Sequence, residues 1–338
     1  MVEVTGKLGS WEVPTAHMWK DRGVELRMQG RPMVGKQTRV ATIGSCFAAE
    51  LVAGMKRRGL AGQMHPGGLF YTSRSIRQEF ERIFVGQSVE EPLWQVRGGW
   101  VHPFQEPGRS APSQDQLLAA CAEVDAEADS LFRSAEVVVV TLGLIEAWVS
   151  PFSGWFYRQL PHPDVFSDLK PVFTRLTVTE IREDLERIWS LLGTGVSRSL
   201  VITVSPVPLH VTFTSSDVRT ANMESKCRLR AAVSEFVEEH PEVVYFPSFE
   251  LAMTAERLSD FMKEDGRHLH QRAVDYIVAT FLRNYGSTGM ELPVLDLSWL
   301  AGPEKTAARV ERRRGLMDLI RRGFSAVAGG KRRGSLGP

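Results

Sequence analysis

The sequence predicts an α/β protein with a mostly parallel β-sheet covered by helices on both faces. Apolar runs of strand length alternate with longer amphipathic segments along most of the chain, the pattern that repeated strand–helix units produce. Residues 137–142 (VVVVTL) are one such run, as expected of a strand buried on both faces of a parallel sheet. Hydrophobic residues make up 43% of the 338 residues, enough to fill a core of this kind.

The N-terminal half begins with a strand, a tight turn and a helix. Residues 38–43 alternate β-branched and small side chains as in a strand, and after the turn GSC (44–46) apolar residues recur at helical spacing up to Gly59. The later predicted segments are a Gly- and Pro-marked loop (65–73), a helix (75–84), irregular structure or short strands (86–112), a helix (113–132) and a Pro- and aromatic-rich insertion that covers a site (148–172).

The C-terminal half continues the alternation. Thr177 followed by Glu180 is a capping-box pattern, and apolar spacing up to Leu192 predicts the helix that it opens. The further predicted elements are a buried strand (200–204), a helix (222–238), a strand (243–246) and a helix (272–285). We therefore divide the chain into an N-terminal extension (1–37), one α/β domain (38–300) and a C-terminal tail (301–338).

The tail differs from the rest of the chain in its charge. Ten basic and three acidic side chains give residues 301–338 a charge of +7, whereas the preceding 300 residues carry a net −6. An acidic body argues against nucleic-acid binding, which usually requires a basic folded face. The composition of the tail predicts that it is flexible.

The tail also predicts an interaction with anionic membranes. An apolar stripe from Leu316 to Val327 lies between Arg clusters, and basic amphipathic helices bind anionic lipid surfaces weakly. An acidic protein partner and a solvated tail are the alternatives. Deleting residues 303–338 is expected to reduce sedimentation with anionic vesicles and to leave turnover of a soluble substrate nearly unchanged. A full-length chain that binds no vesicles at low salt would exclude the membrane interpretation.

The cysteines indicate a reducing environment. There are three, Cys46, Cys121 and Cys227, and an odd number without CxxC spacing predicts neither a disulfide framework nor a zinc site. The N-terminus has no apolar leader, and no apolar run approaches the roughly 18 residues of a membrane span. We therefore expect a cytoplasmic protein that uses no metal or other cofactor.

Cys46 is the first candidate for chemistry. It lies between a predicted strand and the N-terminus of a helix, where free N–H groups and the helix dipole stabilise negative charge. Such a position lowers a thiol pKa into a range of roughly 3.5–7.5, and the same N–H groups can hold an oxyanion. By itself, however, the local sequence favours a small cysteine in the core, the commoner role of a free thiol.

Asp265 and His268 are the second candidate. Their i, i+3 spacing just before a helix lets the carboxylate bond one ring nitrogen and orient the other toward a nucleophile. The short motif by itself also fits a polar surface loop, because a further histidine, His270, follows two residues later.

These motifs lie within longer blocks of sequence. The blocks are TIGSCFA (42–48), HPGGLFY (65–71), TLGLIEAW (141–148), VITVSPVPL (201–209), ANMESKCRLR (221–230), YFPSFE (245–250) and DGRHLHQRAVDYI (265–277). In order and number they resemble the GSCFA family over about residues 40–285. The resemblance implies a relation to the SGNH (GDSL-like) esterases and acyltransferases, and with it a three-layer, flavodoxin-like parallel sheet.

The resemblance to the SGNH pattern also implies roles for individual residues. Cys46 falls where these enzymes carry their nucleophilic serine, which favours a catalytic thiol over a core cysteine. Ser45, one residue earlier, is the alternative nucleophile. Asp265 and His268 match the late Asp-x-x-His motif that supplies acid and base.

The oxyanion hole is where the sequence departs from the SGNH pattern. The resemblance implies a backbone N–H donor at Gly67 or Gly68. The usual asparagine donor of the third block is absent, and Glu146 in this block is expected to bind a substrate hydroxyl or amine, or a basic side chain. Asn222 or Lys226 is the candidate replacement, since losing one donor costs about 2.7–4 kcal/mol when nothing replaces it.

The sequence therefore predicts a hydrolase or acyltransferase that acts through an acyl-enzyme on Cys46. The expected partner is an acyl-bearing substrate: a glycan, a carrier-bound acyl chain or a small metabolite. The alternative is a non-catalytic binding or scaffold protein on the same fold, because fold by itself does not determine function.

Overall fold

A computed structural model of the chain describes residues 28, 30–105, 110–193, 197–253 and 261–287. The strands are β1 (Val40–Gly44), β2 (Gly62–Met64), β3 (Trp94–Val96), β4 (Gly99–Val101), β5 (Ser110–Ala111), β6 (Val137–Leu142), β7 (Glu146–Val149), β8 (Val172–Arg175), β9 (Ser199–Val204) and β10 (Val244–Tyr245). The helices are α1 (Cys46–Lys56), α2 (Ser73–Val85), α3 (Gln114–Ser134), α4 (Pro163–Leu169), α5 (Val178–Leu192), α6 (Val218–Glu239), α7 (Ser248–Met253) and α8 (Gln271–Tyr285). Within these ranges no helix has both the length and the apolar character to cross a membrane.

Five parallel strands form the central sheet in the order β2-β1-β6-β9-β10. The register aligns Gly44 with Thr141 and Leu142 with Val204, so β1, β6 and β9 end at one edge. Numbered within this sheet alone, the strand order is 2-1-3-4-5, which is the flavodoxin-like order. The predicted α/β fold class and its flavodoxin-like topology are confirmed.

Successive residues of a strand point to opposite sides of the sheet. Helices cover both sides, so both sets of residues are buried. Ile43, Val140 and Ile202 are fully buried in a core that they share with α2, α3, α5 and α6. Val139 and Val201 are as deeply buried on the other face, where α1 packs against α8. The uninterrupted apolar strands of the sequence therefore serve two cores.

Helix ends follow the capping residues. The predicted capping box is present, since Thr177 Oγ1 accepts the Glu180 N–H (3.2 Å) and the Glu180 carboxylate accepts the Thr177 N–H (2.9 Å). Helix α6 begins at Val218, four residues before the predicted start. The reason is Asp217, whose carboxylate accepts the Arg219 N–H (2.9 Å) and caps the helix there.

Two smaller antiparallel units accompany the central sheet. Strands β3, β4 and β5 pair within residues 86–112, where the sequence predicted irregular structure or short strands. Strands β7 and β8 pair antiparallel and align Trp148 with Phe173, so this pair joins the two borders of the predicted insertion over residues 148–172. These strands are too short to show a clear period in sequence.

The end of the N-terminal extension packs on the α/β domain. The N–H groups of Met33 and Val34 donate to the Tyr285 carbonyl oxygen at 2.8 and 2.9 Å, and Val34 is fully buried. The predicted flexible tail, residues 301–338, lies outside the described residues.

Candidate active site

A cavity of about 320 Å³ opens at the carboxyl edge of the central sheet. Cys46, which follows β1, and Gly143, which follows β6, both line it. The strand order of the sheet reverses between β1 and β6, and open parallel sheets bind ligands at this switch point. The cavity therefore lies where the topology predicts a site.

The turn after β1 places both Ser45 and Cys46 in the cavity wall. Gly44 has a φ of 136°, and a Cβ at this position would lie 2.1 Å from the Thr141 carbonyl oxygen, so glycine is required. The Ser45 N–H donates to the same oxygen (3.0 Å), and the two hydroxyls of Ser45 and Thr141 bond at 3.1 Å. Ser45 is only 2% exposed, whereas Cys46 is partly exposed. These contacts favour Cys46 over Ser45 as a nucleophile.

Helix α1 begins without a side-chain cap, because the Ser45 hydroxyl bonds Thr141 instead. The Ala48 N–H donates to the Ser45 carbonyl oxygen (2.8 Å), but the Phe47 N–H has no acceptor within the described part of the chain. Free N–H groups at a helix N-terminus stabilise negative charge on a neighbouring atom. The beginning of α1 can therefore hold an anion that develops at Cys46.

The Cys46 thiol has a pKa above its ordinary value because it is largely buried. The positive charges of Arg267 and Lys226 and a hydrogen bond to its own backbone lower the pKa, while Glu50 raises it further. Burial is the largest of these effects, so the expectation of a lowered thiol pKa is wrong. A thiol in this state needs a nearby base in order to attack a carbonyl.

Asp265 and His268 form the pair that their spacing predicts. Asp265 Oδ2 lies 2.6 Å from His268 Nδ1, and Oδ1 accepts the N–H groups of Arg267 and His268 at 2.9 Å each. The hydrogen bond from His268, with those from the backbone, holds the pKa of the Asp265 carboxyl well below its usual range. The ionised carboxylate therefore fixes Nδ1 as a donor and leaves Nε2 to exchange protons.

The pair lies beside the cavity and not in its wall. The His268 side chain is 48% exposed, and no hydrogen bond joins it to Cys46 among the described residues. The neighbouring Arg267 does line the cavity. His270 is the N-cap residue of α8, but its side chain makes no capping bond. Among the described residues, the Asp265–His268 pair therefore adjoins the cavity through Arg267 and makes no direct contact with Cys46.

Gly67 and Gly68 do not belong to the cavity wall. The Gly67 N–H donates to His65 Nδ1 (2.9 Å), and the Gly68 N–H donates to the His65 carbonyl oxygen (3.1 Å). His65 Nε2 in turn bonds the buried Glu79 (2.7 Å), which fixes the turn in the core. The assignment of either glycine to the oxyanion hole is therefore corrected, because both N–H groups already have acceptors.

Glu146 lines the cavity, but its carboxylate is engaged within the protein. Thr212 Oγ1 (2.5 Å) and the Phe213 N–H (3.0 Å) donate to its two oxygens. Both donors belong to residues 205–217, which we call the β9–α6 loop. The sequence predicted that a substrate hydroxyl or amine, or a basic side chain, would bind the Glu146 carboxylate. In the structure the β9–α6 loop supplies both donors instead, and Glu146 thereby holds this loop over the cavity.

Asn222 and Lys226, both on α6, hold the same loop. Asn222 Oδ1 accepts the Leu209 N–H (3.1 Å), and neither α6 side chain lines the cavity. Lys226 Nζ is fully buried and donates to the carbonyl oxygens of Gly143 (2.7 Å) and Val207 (2.9 Å). Asn222 is therefore an anchor of the loop and not an oxyanion donor, whereas Lys226 acts electrostatically on Cys46.

Arg267 is the site residue that the sequence analysis missed. It lines the cavity, and among neighbouring charges it lowers the Cys46 pKa most. Its Nε donates to the Pro208 carbonyl oxygen of the β9–α6 loop (3.4 Å). In the sequence, only its position inside the Asp-x-x-His motif could have indicated a role for Arg267. The direction of its side chain depends on the turn that Asp265 stabilises, which the motif by itself does not specify.

The rest of the cavity wall is mostly apolar. Trp148 from β7 and Phe213 from the β9–α6 loop meet edge to face, with ring centroids 5.2 Å apart. Leu160, Val211 and Phe213 line the cavity and are 41%, 52% and 43% exposed. The cavity wall therefore combines Cys46 and the cationic Arg267 with exposed apolar side chains, and the insertion over residues 148–172 contributes to it.

Fold and site together define an α/β protein of flavodoxin-like topology with a cysteine-centred cavity at the switch point of its sheet. The sequence profile of the GSCFA family matches residues 39–281. The chain belongs to the GSCFA family. No curated protein matches the chain.

Proposed function

We propose that this protein is an esterase or acyltransferase that forms a covalent acyl-enzyme on Cys46. The observation that carries the proposal is the position of this thiol, at the uncapped N-terminus of α1 and in the wall of a cavity. Membership of the GSCFA family is compatible with a hydrolase-like enzyme. The strand order and the Asp265–His268 pair support kinship with the SGNH hydrolases.

Each step of acyl transfer has a candidate group. Cys46 Sγ attacks the carbonyl carbon of an ester or thioester, and the oxyanion lies between the Phe47 N–H and the Arg267 guanidinium. Arg267 thus takes the place of the missing asparagine. Asp265 orients His268, which takes and returns protons as groups enter and leave. Water or an acceptor hydroxyl or amine then resolves the thioester.

The apolar side chains in the cavity wall support a substrate whose acyl part is itself apolar. Trp148, Leu160 and Phe213 line the same cavity as Cys46 and Arg267. Such a combination is typical of sites that bind by apolar contact and orient by a few polar groups. A glycan ester, a carrier-bound acyl chain and a small acylated metabolite all present this kind of group.

Trapping the acyl-enzyme tests the proposal. After incubation with p-nitrophenyl esters or acyl thioesters and an acid quench, peptide mass spectrometry is expected to find the acyl mass on Cys46, and hydroxylamine should remove it. Cys227, an exposed thiol outside the cavity, is the internal control. A ligand that binds in the cavity without acylating any residue would instead support the rival function, a binding or scaffold protein.

A further inference from the structure

The β9–α6 loop forms much of the cavity wall, but its own backbone does not fix its position. Most residues between 205 and 213 line the cavity. Within the described part of the chain, residues 206–216 make no backbone–backbone hydrogen bond. The backbone groups of such a loop bond side chains or water instead. The side chains that bond the loop therefore determine the shape of this part of the cavity.

These side chains divide the loop into two parts. Asn222, Lys226 and Arg267 bond the backbone of residues 207–209, at distances of 3.1, 2.9 and 3.4 Å. For residues 210–216, Glu146 is the only described residue outside the loop that forms a hydrogen bond with it. The second part of the loop therefore depends on a single carboxylate.

Strand β7 carries both of the contacts that fix Phe213 in this second part. The Glu146 carboxylate accepts the Phe213 N–H (3.0 Å), and the Trp148 ring meets the Phe213 ring with centroids 5.2 Å apart. Residues two apart in a strand point to the same face, so β7 presents the carboxylate and the indole side by side. Phe173 of β8, aligned with Trp148, adds a third ring 6.1 Å from Phe213. One strand pair thus fixes both the backbone and the ring of Phe213.

The Phe213 ring keeps part of its surface available to a ligand. It lines the cavity and is 43% exposed, and Leu160 and Val211 in the same wall are partly exposed as well. The cavity volume of about 320 Å³ lies within the range of roughly 300–1,000 Å³ that small-molecule sites occupy. Methylene groups that cover these side chains leave water together with them, which favours binding. A longer acyl chain therefore gains more from this wall than an acetyl group.

We propose that Glu146 is a positioning residue for acyl-chain specificity, an inference that rests on the acyl-enzyme function proposed above. Glu146 holds Phe213 as one wall of a subsite, in which Phe213 and Trp148 contact a straight acyl chain longer than acetyl. The carboxylate itself bonds the loop and not the chain. The preferred substrates are then esters or thioesters of such chains.

The test compares kcat/KM for p-nitrophenyl butyrate and p-nitrophenyl acetate. The two acyl groups differ by two methylenes, and burial of one methylene is worth roughly a factor of 4. The wild-type protein should therefore favour the butyrate ester by on the order of 10-fold. Glu146→Ala and Phe213→Ala should each lose most of this preference, mainly through a higher KM for the butyrate ester.

Three further variants separate this role from a general effect on structure. Glu146→Gln keeps an oxygen that accepts the Phe213 N–H and should keep the preference. In the double variant Glu146→Ala/Phe213→Ala the loss should equal that of Phe213→Ala, because the first residue acts through the second. Asn222→Ala removes a bond to the first part of the loop and should keep the preference. Additive losses in the double variant, or a lost preference in Glu146→Gln or Asn222→Ala, would overturn the proposal.

Alkylation of Cys46 by iodoacetamide separates this inference from the proposed function. If no ester or thioester acylates Cys46, the acyl-enzyme is refuted. The subsite would still be supported if octanoate, but not acetate, protects Cys46 from iodoacetamide and if Glu146→Ala and Phe213→Ala lose this protection. Acylation of wild-type Cys46 with equal kcat/KM for the acetate and butyrate esters would instead retain the acyl-enzyme and refute the subsite.

Discussion

Replacing Cys46 by alanine is expected to abolish acyl transfer, with a loss in turnover of about 10⁶-fold, the size seen when a triad enzyme loses its nucleophile. Ser45 is not expected to substitute, because its hydroxyl is bonded to Thr141 and the residue is only 2% exposed. Cys46→Ser is expected to keep a trace of activity, since a hydroxyl is a poorer nucleophile without strong base assistance. Initial rates with the ester that yields the trapped acyl-enzyme check both variants.

Ser45→Ala is the matched control for the nucleophile. It should keep substantial activity and lose about 0.5–1.5 kcal/mol of unfolding free energy, the net value of a hydrogen bond such as the one to Thr141. Denaturant unfolding measures the second effect. If Ser45→Ala is inactive while Cys46→Ala is active, the nucleophile is Ser45 and the protein is a serine enzyme. Full activity in both variants would refute an acyl-enzyme at this turn.

Replacing Asp265 by asparagine is expected to lower turnover by about 10⁴-fold, the loss known for the equivalent change in a serine triad. The carboxylate fixes the Nδ1–H of His268 across 2.6 Å, whereas an amide can donate to Nδ1 and stabilise the wrong tautomer. Both side chains are 48% exposed, so the melting temperature should change little. The measurement is kcat at saturating substrate, with circular dichroism to establish that the variant is folded.

His270→Ala is the control for the proton-handling pair. This histidine is two residues from His268, is exposed and makes no capping bond with its side chain. Activity close to wild type is expected for His270→Ala, in contrast to a severe loss for His268→Ala. Equal and severe losses in the two variants would mean that the loop has only a structural role or that the base is misassigned.

Local patterns in the sequence determined the fold class and the two chemical motifs. Residues 137–142 are too apolar for a strand with one face exposed to solvent. Because helices alternate with such strands along the chain, the pattern predicts a parallel sheet covered on both faces. The GSC turn at 44–46 and the Asp265–His268 pair join residues that are at most three positions apart. Backbone geometry over so short a span is set almost entirely by the residues themselves, so the hydrogen-bonded pair could be predicted.

The tertiary structure alone decided what the other polar residues contact. Glu146 meets Thr212 across 66 positions, and Lys226 meets Gly143 across 83. No local pattern distinguishes a carboxylate that binds a substrate from one that binds a distant loop of the same chain, because both are polar groups after a strand. The same reason explains the Cys46 pKa. The helix N-terminus that favours a thiolate is visible in the sequence, but the burial that outweighs it comes from distant segments packed around the thiol.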